Sequence, residues 1–332
     1  MVLQKVPWLT VSGYGAHIKS TPTQLIIQRK GEVQNYPLRG VHHLVIAGGH
    51  TVHTTAIINL LKAGGAISFL DQDSNPVAFL NPPMRHPDEE IKALQKLAPA
   101  HRYALAIATG AIRARILRLE KLGEDPGREI LYKGELEFLH TSFREMEFLV
   151  KLDEVRRLFT LTGDMYYEIL SRTLPPELGF RRRTRRPHQD PVNAMLSFGY
   201  AMLFSQCMRA VQGANLDPDL GVLHEGTGSF VYDLIEPFKP AMVDDAVFGI
   251  ARAGLGEGDY EYGERRCLLS EGLIERLLAR LYITVKNEEI EEMVARFRDS
   301  LLGGRPFTLA PPGAGSPEGP PDQGDLLIEK SE

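Results

Sequence analysis

An α+β fold is predicted: a β-sandwich-like N-terminal domain followed by an all-α C-terminal domain. Three observations predict it. Short runs rich in Ile, Val, Leu and Phe alternate with turn residues up to about residue 80. A proline pair, Asn81-Pro82-Pro83, then interrupts the chain. Beyond it, the apolar residues recur at helical spacing to about residue 300. The expected division is a β domain over 1–83 with one short helix, a linker over 84–90, a helical domain over 91–303 and a tail over 304–332. A length of 332 residues suits two domains, and 43% hydrophobic residues supply ample core.

The strand candidates are Thr23–Gln28, His43–Gly48, Ala66–Leu70 and Pro76–Leu80. Between the second and third, Thr54 to Ala63 reads as a helix, capped by Thr54 or Thr55 and ended by Gly64-Gly65. Gly48-Gly49-His50 is too short and wrongly placed for a phosphate loop, and reads as a turn. Helical periodicity marks 88–98, 111–122, 152–159, 165–172, 190–211 and 271–282. Asp190-Pro191 is a helix start, with the aspartate as cap and proline at the first helical position. The apolar face from Ala194 to Met208 is expected to be core. From Gly303 the chain turns proline- and glycine-rich and is expected to be disordered. Its end carries Leu326-Leu327-Ile328, either a dispensable tail or a short docking element.

Two cysteines, Cys207 and Cys267, stand in unrelated contexts and form no metal-type pair. A reduced, cytoplasmic protein is expected. No leader-like segment follows Met1 and no stretch approaches a membrane span, so no membrane partner is expected. The net charge of −5 does not advertise nucleic-acid binding, but the basic residues cluster. Arg181, Arg182, Arg183, Arg185 and Arg186 form a nearly continuous run, and Arg113, Arg115 and Arg118 lie on a helix upstream. Such arginines either bind DNA phosphates or form a solvated face. His188 beside the run either faces DNA or is structural.

The densest chemistry lies between Arg185 and Asp245. Asp233 and Glu236 are three residues apart, so on a helix their carboxylates share a face. His224 adds an imidazole shortly before. This nitrogen-and-oxygen set suits Mn2+ and tolerates Mg2+, metals that activate nucleophiles in phosphoryl transfer.

The segments RRPHQDPVNAMLSFGY, LDPDLGVLHE and YDLIEPFKP resemble the C-terminal signature of the CRISPR adaptation integrases, the first-numbered Cas proteins. The stretch from Pro37 to Leu80 is similar to that family's N-terminal β domain and connecting helix. The resemblance spans most of residues 10 to 300 and is weaker in the middle. It implies that His224 and Glu236 bind the catalytic metal, with Asp233 as an accessory acid. It also implies a third ligand: a glutamate, usually before a glycine, about two turns before an aromatic pair. Counting from Tyr166 and Tyr167 puts that position at Phe159 or Thr160, and aligning on Gly163 puts it at Thr162. None is a glutamate. Asp164 or Glu168 either substitutes or is an ordinary exposed acid.

The activity implied is integration of spacer DNA into a repeat array by transesterification, on double-stranded DNA, as a homodimer with the small second-numbered Cas protein. Three readings stay open: an active metal-dependent integrase and nuclease, a noncatalytic DNA-binding scaffold, and a transposon-type integrase outside CRISPR.

Overall fold

The computed structural model describes residues 8–71, 73–82, 89–124, 130–303 and 306–309. Residues 84–88 of the linker expected over 84–90, and the tail at 304–305 and 310–332, lie outside the described residues, while Glu89 and Glu90 of that linker open a helix. The expected α+β class is the one adopted, with a six-stranded sheet followed by a helical region.

The strands are β1 (Leu9–Ser20), β2 (Gln24–Arg29), β3 (Glu32–Pro37), β4 (His43–Val52), β5 (Ala66–Leu70) and β6 (Pro76–Leu80). They join in one sheet, in the order β3-β2-β1-β4-β5-β6, rather than in two facing sheets. β4 runs parallel to both β1 and β5. A parallel neighbour requires a crossover, and α1 (Thr54–Lys62) supplies it between β4 and β5. Its cap is His53, whose imidazole accepts from the Thr55 N–H, so the two threonines fall inside the helix.

β1 carries a bulge between Tyr14 and His17. The bulge switches side-chain parity, so Leu9 and Val11 before it and Ala16 and Ile18 after it enter the same core. Gly48-Gly49-His50 is not a turn; it continues β4 past this bulge. Gly13 and Gly48 are in register with positive φ, and a side chain at Gly48 would strike the Gly13 carbonyl. The glycines that read as a turn are there for close strand approach.

One face of the sheet packs Leu25, Leu44 and Ile67 against Leu60 of α1. On the opposite face Val45, Ala47 and Leu70 join the helical core. The helices are α2 (Glu89–Leu97), α3 (Ala100–Gly123), α4 (Glu135–Glu145), α5 (Leu152–Ser171), α6 (Pro191–Gly213), α7 (Ser229–Ile235), α8 (Asp245–Ala253), α9 (Glu271–Thr284) and α10 (Asn287–Gly303). A hairpin, β7 (Tyr260–Tyr262) and β8 (Cys267–Leu269), lies between α8 and α9. The runs at 152–159 and 165–172 are one helix, α5. Asp190 caps α6 by accepting from Asn193 N–H at 2.7 Å, with Pro191 first, as expected. α6 is buried nearly all round and forms the axis of the helical region.

His43 fastens sheet to helix. Its Nδ1 meets Gln206 at 3.0 Å and its Nε2 meets Ser68 Oγ at 2.6 Å. Burial pushes its pKa down from 6.5 to about 4. The folded value is the lower one, so neutral His43 stabilises fully above about pH 6.5 and loses that contribution as pH falls toward 4. A shift of this size is worth about 3 kcal/mol. We expect urea stability to fall between pH 7 and pH 5, and the fall to shrink in His43→Gln. An equal fall in the variant would remove His43 as its source.

Candidate functional site

The site is built where α7 ends. Asp233, on α7, is fully buried. Its Oδ1 accepts from His224 N–H at 2.8 Å, and its Oδ2 accepts from Leu223 N–H at 3.1 Å and from Val222 N–H. One carboxylate thus folds the Val222–His224 loop around itself. The same Oδ1 lies 2.8 Å from His224 Nδ1. That contact places the ring proton on Nδ1 and leaves Nε2 as a free lone pair. Asp233 is therefore fully occupied as a positioning residue. From α5, Arg156 adds a second brace, donating to Val222 O at 3.0 Å and to Glu225 at 2.8 Å.

The free Nε2 faces Glu236 Oε1 at 3.6 Å. Glu236 opens the short turn after α7 and is 5% exposed. Lys239, one turn on, donates to its Oε1. Arg115 of α3 donates to its Oε2 at 3.3 Å. Burial raises the Glu236 pKa, but the cations beside it, Lys239 first and Arg115 with it, outweigh it and hold the carboxyl below its usual range.

Arg115 corrects the sequence reading. It is 6% exposed and faces the site, where a solvated or DNA-facing arginine was expected. It donates to Phe159 O at 3.0 Å and Thr162 Oγ1 at 3.2 Å, and its guanidinium lies 4.6 Å from the Phe159 ring centre. Arg118 pairs with Asp245, and Arg113 is exposed.

Of the three positions considered for the third ligand, Thr162 is buried and reaches the site through Arg115. Thr160 is exposed and bonds its own helix at Arg156 O. The Phe159 ring lies nearly perpendicular to that of His224. Asp164 and Glu168 are exposed, and Glu168 lies beside Arg172. Among the described residues, no three His, Cys, Asp or Glu side chains converge as a metal cluster. The donors present are one imidazole nitrogen and one carboxylate, at a spacing a divalent cation spans with bonds of about 2.1 Å. As a pair they would fit a divalent metal as two of its ligands.

Beneath the site is a buried polar base absent from the sequence reading. Asp244 accepts from Tyr166 at 2.9 Å and from Tyr200, and Tyr167 joins Tyr200 at 2.6 Å. Burial pushes Asp244 up to about 6, against the two tyrosine hydrogen bonds. Lys239 Nζ sits 4.8 Å from the Tyr200 ring centre. This stack fixes the platform from which Lys239 reaches Glu236. The i, i+3 spacing of Lys239 after Glu236 was the available signal.

The arginine run divides. Arg181, Arg182 and Arg185 are exposed. Arg183 turns inward to Asn193 Oδ1 at 2.6 Å and Ser197 Oγ at 3.1 Å. Arg186 reaches the turn before β6, donating to Asn75 Oδ1 at 2.6 Å. His188 is buried between Ser197 Oγ at 2.5 Å and Thr184 Oγ1 at 2.9 Å, so its role is structural. Burial, with Arg183 and Arg186 nearby, pushes it down to about 4.

Comparison with known proteins gives the family of the chain. The family model described as CRISPR associated protein Cas1 matches residues 9–282. The putative CRISPR-associated endonuclease Cas1 2 of Methanospirillum hungatei JF-1 is 42% identical over 303 residues, covering 91% of this chain and all of that one. A casposase bound to integration product superposes with a TM-score of 0.81 at 20% identity, over 91% of this chain and 92% of that one. A Cas6-RT-Cas1–Cas2 complex gives 0.79 at 18% identity, over 94% of this chain and 37% of that one. These two structures share the fold. Among the described residues no helix is long and apolar enough to cross a membrane. By the family match and the identity to its relative, the chain belongs to the Cas1 family of CRISPR-associated proteins.

Proposed function

We propose that this chain is a DNA strand-transfer enzyme of CRISPR adaptation, joining spacer DNA to a repeat array. The observation that supports it is the free His224 Nε2 aimed at Glu236, with Lys239 alongside, in a Cas1 family chain. A DNA 3'-hydroxyl attacks a phosphodiester at the repeat boundary. One P–O bond forms, the old P–O3' bond breaks, and the departing 3'-oxygen takes a proton. The number of phosphodiesters is unchanged, so no outside energy source is needed.

His224 and Glu236 would hold Mn2+ or Mg2+, which supplies Lewis-acid polarisation of the scissile phosphate. Asp233 holds the imidazole in the tautomer that keeps Nε2 free. Lys239, less buried than Arg115, is the cation able to leave Glu236 for a phosphate oxygen. Exposed Arg181, Arg182 and Arg185 grip double-stranded DNA by its phosphates, while Arg183 and Arg186 shape the run from within. Replacing the three exposed arginines by alanine should weaken DNA binding and flatten its dependence on salt; an unchanged slope would make them a solvated surface. The natural assembly is a homodimer working with the small second-numbered Cas protein, in keeping with the complex named among the structural neighbours.

A second reading, a DNA-binding scaffold without chemistry, is favoured by Thr162 and Arg115 standing where a third acidic ligand is implied. The test between them is resealing of a branched DNA, the reverse reaction, with Mn2+, with Mg2+ and with EDTA. Metal-dependent resealing supports the enzyme. Tight binding of the branch with no resealing under either metal supports the scaffold.

A further inference from the structure

Glu236 is neutralised from inside the protein. Asp233 and Glu236 bring two negative charges to the cluster, and Arg115 and Lys239 bring two positive ones. These four side chains balance one another before any metal arrives. The two cations differ in freedom. Lys239 is the less buried, at the edge of the site. Arg115 is gripped at Phe159 O, at Thr162 Oγ1 and by the Phe159 ring, so it cannot leave without stranding buried groups. Its guanidinium sits between α5 and Glu236, on the side where Thr162 offers a hydroxyl and no carboxylate.

We propose that Arg115 is a built-in counter-ion that takes the place of part of the metal's charge and sets the order of binding. A divalent cation entering a neutral cluster beside a fixed guanidinium meets repulsion that a carboxylate-rich site would not impose. A DNA phosphate brings the missing negative charge. The site therefore takes up metal together with DNA, and metal alone binds weakly. This coupling is reciprocal: DNA tightens metal by the factor that metal tightens DNA at the site. Arg115 acts here as a positioning residue, through Glu236. The inference rests on His224 and Glu236 being the metal-holding pair.

The experiment is Mn2+ titration followed by electron paramagnetic resonance of the free ion, on the full chain, with and without a short DNA duplex. The wild-type chain should bind Mn2+ weakly alone and about tenfold or more tightly with DNA. Arg115→Gln should tighten DNA-free binding by about tenfold, within the span that groups around a metal site command. Arg115→Lys, which keeps the charge, should stay near wild type. Arg115→Gln combined with Glu236→Gln should lose the gain. Tight DNA-free binding by the wild type, or a folded Arg115→Gln no tighter than wild type, would overturn the proposal. Should Arg115→Gln fail to fold by circular dichroism, Arg115→Met, which fills similar space without charge, provides the second route. It should give the same gain, and a folded Arg115→Met without it overturns the proposal. A chain that shows these Mn2+ shifts yet never joins DNA would keep this inference and lose the functional reading.

Discussion

Replacing His224 by alanine is expected to abolish strand joining while DNA binding persists. Among the described residues, the imidazole and the Glu236 carboxylate are the pair that faces the proposed metal position. With a single ligand left, Glu236 would be held by Arg115 and Lys239 as an ordinary internal ion pair. A loss of about a thousandfold or more in joining rate is expected, equivalent to about 4 kcal/mol of transition-state stabilisation. DNA affinity, read by fluorescence anisotropy, should change little, because the exposed arginines lie elsewhere on the chain. A variant that joins DNA at the wild-type rate would remove His224 from the site.

The second large effect belongs to Asp233. Its carboxylate is fully buried and satisfies three backbone N–H groups and the His224 ring. Asp233→Ala strands all four and should cost about 3–5 kcal/mol in urea unfolding, the range for removing one partner from a buried charged network. Asp233→Asn keeps the shape but turns an N–H2 group toward donors. It should fold, with joining reduced about 10- to 100-fold through a misoriented imidazole. A stability change under about 1 kcal/mol in Asp233→Ala would show that the loop is held by other contacts. Arg156, which grips Val222 O, is the first of those to examine.

How much of this was legible in the sequence follows the distance between partners. His224, Asp233 and Glu236 lie within a short stretch, and their spacing places them together on one turn and one loop. Arg115 and Glu236 are 121 residues apart, and no periodicity on α3 reveals that one of its arginines turns inward. The lack of the glutamate that the resemblance implies was visible at Phe159, Thr160 or Thr162, but only packing shows that Thr162 faces Arg115. The arginine run was legible as charge and not as direction. Arg183 and Arg186 turn in because Asn193, Ser197 and the Ser74-Asn75 turn offer oxygens that the sequence does not place nearby.

The fold shows the same division. Strands β2, β4, β5 and β6 announce themselves by β-branched and apolar runs. β1 does not, because Gly13, Gly15 and its bulge dilute the pattern. Gly48-Gly49-His50 reads as a turn until Gly13 is known to lie opposite Gly48. Local capping was partly legible: Asp190-Pro191 opens α6 as expected, whereas His53 took the capping place from two threonines.

The most direct test is joining of a fluorescent 3'-hydroxyl duplex to a repeat-containing plasmid in Mn2+, with the small partner protein present, by the wild-type chain and by Glu236→Gln. Metal-dependent joining by the wild type, lost in Glu236→Gln with DNA still bound, is the result expected. No joining by the wild type under either metal, with DNA bound, or undiminished joining by Glu236→Gln, would contradict it.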